Sequence, residues 1–376
     1  MNFTIPPLAS IGDPLECVST PSLLIDLDAF DSNISQMAEL ARKHRVALRP
    51  HAKAHKSTSI ARAQIASGAN GICCQKLSEA YPFAAAGIRD IFISNEFVGA
   101  DKVGMAVDLA KRVNLSICVD HPAQVTALGL AASRCKVTIN VLVEVDVGQG
   151  RCGVTDTEDL LVLIDEISRQ DSLKFRGLQA YHGGTQHLVS WKERRTAARL
   201  STQKTAHYVQ QLGNRGIDCP VVTGGGTGTA EFDAASGLYT EIQPGSYVFM
   251  DAQYGANSWQ GEFQPSHSLF ILSTIMSTTK PQRIVCDVGL KGVAVDSGLP
   301  VISARHSGHN LRYVAANDEH GIIDVLEAEN RNRLGEKIMV VPGHCDPTAN
   351  LYRQYVVFQN GKVKALWDIE ARGLSQ

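Results

Sequence analysis

Through roughly the first two thirds of the chain, short runs of consecutive apolar residues alternate with stretches of helical spacing; after about residue 260 the helical spacing weakens. Ser22 to Leu27, Val46 to Leu48, Gly71 to Cys74, Asp90 to Asn95, Leu115 to Asp120, Val137 to Val145, Phe175 to Ala180 and Pro220 to Thr223 each predict a strand. Several are apolar throughout instead of alternating, as expected of a parallel sheet covered on both faces. Helical spacing follows them: Phe30, Ile34, Met37 and Ala41 share one face, with Asp28 as the expected cap, and Gly68 marks a stop. Eight strand-then-helix units predict an α/β fold with a (β/α)8 barrel over residues 21–260. A doubly wound sheet is the competing layout, disfavoured because no GxGxxG opens the first unit. Beyond residue 260, short strand-like runs at 268–274, 283–287, 311–315, 337–341, 355–358 and 363–367 predict a second, smaller, mainly-β domain spanning 261–376. Asn360-Gly361 predicts a tight hairpin between the last two. Residues 1–20 form an irregular, proline-containing lead expected to join that β domain.

Composition narrows the classes. With 376 residues the chain is too long for one small core. A hydrophobic share of 44% and a charged share of 20% are those of an ordinary globular protein. A formal net charge of −2 recommends neither nucleic acid nor an anionic membrane as partner. No run of 18 apolar residues predicts a spanning helix, and the start, Met1 to Pro7, resembles no secretion signal. Nine scattered cysteines, without paired CxxC motifs, predict a reduced, cytoplasmic protein.

The residues able to do chemistry sit mostly at predicted strand C-termini, where parallel α/β folds keep their sites. Lys53, in Arg49-Pro50-His51-Ala52-Lys53-Ala54-His55-Lys56, is of the one type that forms a Schiff base with an aldehyde cofactor; read alone, it is also a solvated loop lysine. His51 and His55 have the spacing of a zinc motif but lack its glutamate. Arg151, in the glycine-bracketed loop Gly148-Gln149-Gly150-Arg151-Cys152-Gly153, can be aimed into a barrel mouth or form a surface ion pair. Gln179-Ala180-Tyr181-His182-Gly183-Gly184-Thr185-Gln186-His187 offers histidines as general bases or as structural residues. Thr223-Gly224-Gly225-Gly226-Thr227-Gly228 closes the eighth predicted strand, where backbone N–H groups can cradle a phosphate. In the β domain, His344 and Asp346 flank one residue, so an extended segment would turn both to one side as a divalent metal pair.

Together these runs, with Gly71-Ile72-Cys73-Cys74-Gln75-Lys76, Gly245-Ser246-Tyr247, Asp318-Glu319-His320-Gly321 and Pro342-Gly343-His344-Cys345-Asp346-Pro347-Thr348, resemble the D-threonine aldolase group, including the 3-hydroxy-D-aspartate aldolases, of the fold-type III, alanine-racemase-like pyridoxal 5′-phosphate (PLP) enzymes. The resemblance covers nearly the whole chain. It implies a barrel plus a β domain, a homodimer, a D-3-hydroxy amino acid substrate, PLP, and a divalent metal, Mn before Mg or Zn. Lys53 matches the Schiff-base lysine, and Arg151 the arginine that faces the pyridine nitrogen. Gln179 and Tyr181 match cofactor contacts, and Gly225, Gly226 and Thr227, next to Thr223, the phosphate cradle. His187 matches the proposed base, and His344 and Asp346 the metal ligands. Related D-serine and D-threo-3-hydroxyaspartate dehydratases carry His-x-Cys at the metal position; Asp346 favours the aldolase branch. The rival from another class is a non-catalytic PLP carrier, which would lack the C-terminal β domain.

Overall fold

The structure, a computed structural model, describes residues 6–327 and 332–376. Positions 1–5 of the expected lead lie outside the described residues. The chain forms two compact units. One comprises Ser35–Gly245, Asn257–Gln264 and Gly373–Gln376; the other takes the described residues of Met1–Ile34, Ser246–Ala256 and Pro265–Arg372.

The first predicted strand, β1 (Ser22–Asp26), does not belong to the barrel. The barrel unit is built from β2 (Ala47–Leu48), β3 (Ile72–Cys74), β4 (Asp90–Ile93), β5 (Asn114–Val119), β6 (Ile139–Glu144), β7 (Leu173–Ala180), β8 (Val221–Gly224) and β9 (Glu241–Ile242). They form one parallel sheet in the order β2-β9-β8-β7-β6-β5-β4-β3, and a parallel bridge from His51 to Cys73 links its two edge strands. The eighth barrel strand is therefore β9, a two-residue strand too short to show a period. Helices such as Pro122–Cys135, Thr157–Ser168 and Trp191–Gly213 follow the strands and bury one stripe each. Cys73, Phe92, Cys118 and Leu142, one from each of β3 to β6, pack together as a buried layer.

The barrel interior is not uniformly apolar. Gln179 Oε1 accepts from Gln243 Nε2 at 2.7 Å, and the same amide donates to Thr223 Oγ1 at 2.7 Å. Thr223 Oγ1 in turn donates to Glu241 Oε1 at 2.8 Å. Glu241 then pairs with Arg49 at 2.8 Å, and Arg49 pairs with Asp90 at 2.5 Å. Each buried polar group in this file has a partner, as burial requires.

The second unit holds a nine-stranded sheet. Its strands are β1, β10 (Leu269–Lys280), β11 (Arg283–Cys286), β12 (Val301–Ile302), β13 (Leu311–Ala316), β14 (Gly321–Val325), β15 (Lys337–Val341), β16 (Gln354–Gln359) and β17 (Lys362–Asp368). β1 lies between β10, antiparallel to it, and β16, parallel to it. It is buried along its whole length, so its apolar run looks like that of a barrel strand; burial on both faces says nothing of which sheet supplies the neighbours. Asp26, not Asp28, caps the helix that follows, accepting from Asp28 N at 3.1 Å. Asn360 and Gly361 both have positive φ, 52° and 72°, and turn β16 into β17 as the dipeptide predicts. Ala9 and Val18 pack with Leu24, Phe270, Leu272 and Val356 in the core of this sheet.

Candidate active site

In the barrel unit, β2 ends at Leu48, and a 3-10 turn, Ala52–Ala54, carries Lys53. His51 caps this turn: its Nδ1 accepts from Lys53 N at 3.4 Å. Its Nε2 lies 3.1 Å from Gln75 Oε1 and 3.0 Å from Ser94 Oγ. His55 is fully buried, and its Nδ1 accepts from Ser57 N at 3.1 Å. Both rings hold the loop in place, which leaves no role for the zinc-like spacing. Lys56 is nearly buried and pairs with the buried carboxylate of Glu79 at 2.5 Å. Lys53 is half-buried, and Lys56 is locked in the ion pair with Glu79.

Arg151 and Tyr181 are brought together, with the guanidinium carbon 5.4 Å from the ring centroid. Arg151 also reaches Glu144, the last residue of β6, at 3.5 Å. Glu144 is buried, and burial followed by the neighbouring Glu96 carboxyl pushes its pKa up to about 8, against the pull of Arg151. Glu96, Cys118 and Glu144 place ligand-type atoms within 4.8 Å of one another, as do Glu96, Asp120 and Cys152. Gln179 and Thr223, by contrast, turn their side chains into the barrel file around Gln243.

The glycine loop after β8 is shaped for close approach. Gly225 has φ +70°, and a Cβ there would lie 2.5 Å from Asp233 Oδ2; one on Gly226 would lie 2.6 Å from Gln186 Oε1. The Thr227 hydroxyl is buried without a hydrogen-bond partner. A buried hydroxyl left unmatched in a glycine-rich loop suits an anion. Burial raises the Asp233 carboxyl beneath the loop to about 7, which lightens its negative charge there.

Gln186 and Arg194 had no visible signal in the sequence. Gln186 Oε1 accepts from Gly228 N at 2.9 Å, and its Nε2 donates to Thr229 Oγ1 at 3.0 Å. Arg194 is fully buried and donates to the carbonyls of Gly228 at 2.8 Å, Ser258 at 2.7 Å, Val189 at 3.3 Å and Leu188. Its guanidinium sits between the Trp191 and Trp259 rings, at 5.4 and 5.2 Å. These two residues tie the glycine loop to the turn that carries His187. His182 instead lines a separate groove of about 600 Å³ with Asp146, Lys204, His207 and Tyr208.

In the sheet unit, His344 and Asp346 do not lie on an extended segment. His344 has extended backbone, but Cys345–Ala349 is a short helix with His344 as its N-cap. Pro347 is tolerated because it falls in the first turn, where its missing N–H has no helical acceptor. Cys345 is fully buried, and its N–H donates to Asp251 Oδ2 at 2.9 Å. Asp346 Oδ1 lies 3.4 Å from Ser246 Oγ. His344 Nδ1 lies 2.7 Å from Asp296 Oδ2. One imidazole and one carboxylate flank Cys345 at this cap, donor types suited to a divalent ion completed by water. Among the described residues, the clusters of three metal-ligand types are those of the barrel, and neither includes this pair.

The fold is that of the enzymes built on the alanine racemase barrel with an added β-sheet unit. Residues 25–253 match the family described as alanine racemase, N-terminal domain, and residues 268–358 match a putative serine dehydratase domain. The chain is 48% identical to a D-threonine aldolase of Arthrobacter sp. over all of this chain and 98% of that one. It is 37% identical to a 3-hydroxy-D-aspartate aldolase of Paracoccus denitrificans (strain Pd 1222), over 99% of this chain and 96% of that one. The crystal structure of D-threonine aldolase from Filomicrobium marinum superposes with a TM-score of 0.95 at 40% identity, covering 99% of this chain and 100% of that one. The chain belongs to the D-threonine aldolase group of the alanine-racemase-like enzymes, a group for which PLP is the expected cofactor. No described helix is long and apolar enough to cross a membrane.

Proposed function

We propose that the protein cleaves D-3-hydroxy amino acids by a retro-aldol reaction, in the simplest case D-threonine to glycine and acetaldehyde. It uses PLP on Lys53 and a divalent metal, Mn before Mg or Zn, on His344 and Asp346. The observation that carries this reading is the full-length 48% identity to a D-threonine aldolase. Bound at these residues, PLP supplies an electron sink for the pair left at Cα and the metal supplies Lewis acidity toward the β-hydroxyl.

The chain's own residues do the rest. Lys53 Nζ would hold the cofactor by its aldehyde. The backbone of Gly225 and Gly226 and the Thr227 hydroxyl would hold the phosphate; Thr223 anchors the base of this loop, with its hydroxyl engaged inside the barrel. Arg151 presents a permanent cation to the pyridine nitrogen, with Tyr181 against its guanidinium. Gln179 supports this region from the barrel file. His187 takes the proton from the substrate's β-hydroxyl as the Cα–Cβ bond breaks. The nine cysteines, all unpaired, suit a reducing cytoplasm, and the fold relation supports a homodimer.

A second reading, 3-hydroxy-D-aspartate as the preferred substrate, is favoured by Cys345 between the metal residues and by the Paracoccus relative. Product analysis on D-threonine and D-3-hydroxyaspartate separates these outcomes. Glycine plus acetaldehyde or glyoxylate is expected, and the ratio of kcat/KM values ranks the substrates. Release of ammonia and a 2-oxo acid would make the protein a dehydratase and overturn the proposal.

The phosphate loop has its own test. Gly225→Val puts a β-branched side chain on a positive-φ residue and against Asp233. PLP affinity of the apoenzyme, titrated by absorbance, is expected to fall by at least about tenfold, equivalent to about 1.4 kcal/mol. Unchanged affinity in a folded variant would move the phosphate elsewhere.

A further inference from the structure

Asp296 stands 48 residues before His344 in the chain, yet its Oδ2 lies 2.7 Å from His344 Nδ1. Ser297 Oγ is 3.3 Å from the same nitrogen and 3.0 Å from the same carboxylate oxygen. The Asp296 side chain is about half exposed, so it serves no core packing.

A neutral imidazole carries its proton on one nitrogen and its lone pair on the other. A carboxylate accepts only, so its contact with Nδ1 requires the proton there. The lone pair is then on Nε2, and the ring's rotation is set by the same bond. A carboxylate on the far nitrogen also makes the ring a stronger donor to a metal.

We propose that Asp296, steadied by Ser297, is a positioning residue for the metal: it holds His344 as the Nδ1–H tautomer with Nε2 presented as the ligand. This rests on the reading of His344 and Asp346 as the metal pair. Asp296 acts through His344 and does not itself touch the ion. Asn keeps an acceptor oxygen at the same place, whereas Ala removes it, so the two substitutions part the tautomer role from a role of charge.

The test measures Mn²⁺ affinity of the PLP-loaded enzyme after chelator stripping, by the free-ion EPR signal, without reference to turnover. Asp296→Ala is expected to weaken Mn²⁺ binding by about 10- to 100-fold, with the cofactor absorbance and melting temperature unchanged. Asp296→Asn is expected to bind within about threefold of wild type on the same reasoning. His344→Ala is the reference: if it binds Mn²⁺ as well as wild type, the metal pair itself is wrongly assigned. If His344→Ala loses the ion while Asp296→Ala keeps it, the positioning role is overturned and the metal pair stands. If Asp296→Asn loses as much as Asp296→Ala, the carboxylate acts by charge or by direct ligation, and the tautomer role is overturned.

Discussion

Lys53→Ala is expected to abolish turnover, with a loss on the order of a thousandfold or more, because the proposed reaction makes this lysine the Schiff-base anchor of the cofactor. Lys56 lies three positions on, but its ammonium is held by Glu79 and by the Leu374 carbonyl at 3.3 Å. Lys53 lies in a turn whose shape is set by the His51 cap. Borohydride reduction of the wild-type holoenzyme should fix the cofactor to the peptide containing Lys53. A reduced adduct on Lys56 or any other lysine would refute the assignment. In Lys53→Ala the phosphate cradle is untouched, so PLP is expected to bind noncovalently, with a shifted absorbance and no reducible adduct.

Asp346→Ala is expected to cost cleavage nearly as much, while leaving the cofactor spectrum close to that of wild type. Chelation should do the same reversibly, with activity restored by Mn²⁺. The reasoning is one of ligand number. Two protein ligands leave several coordination positions to water and substrate, so removing the carboxylate strips the ion of half its protein anchors. Asp346→Cys provides the contrasting case: a thiolate in place of the carboxylate favours zinc and lowers aldolase activity. Wild-type rates from both chelated protein and Asp346→Ala would show that the metal takes no part in cleavage.

Where sequence reasoning succeeded, a local pattern carried the information. The turn that carries Lys53 follows β2 and the glycine run follows β8, where the apolar runs put them. Asn360-Gly361 made its hairpin because few other residues accept two successive positive φ values. The failures have equally particular causes. Ser22–Asp26 is apolar at Leu23, Leu24 and Ile25, and nothing in that run distinguishes a barrel strand from one held between β10 and β16. Glu241–Ile242 is too short to have a period, so Gln243 just after it, which organises the barrel file, went unnoticed. Gln186, Arg194 and Asp296 act through hydrogen bonds to residues far along the chain, or to backbone atoms, and polar residues of this kind leave no periodic trace. His344 and Asp346 were paired for the wrong local reason: the segment turns helical after His344, so the strand rule that put them side by side does not apply.

The buried guanidinium of Arg194 has a consequence for anyone who wishes to change what this enzyme accepts. One side chain binds the carbonyls of Leu188 and Val189, next to His187, together with that of Gly228 at the end of the glycine loop. The two loops are thus not separate modules. A grafted or length-altered turn at 186–189 would disturb the glycine loop as well, and a library that diversifies either loop alone would be dominated by clones in which the other has lost its support. Productive variation has to move both loops as one cassette, with the helix that carries Arg194 kept in register beneath them.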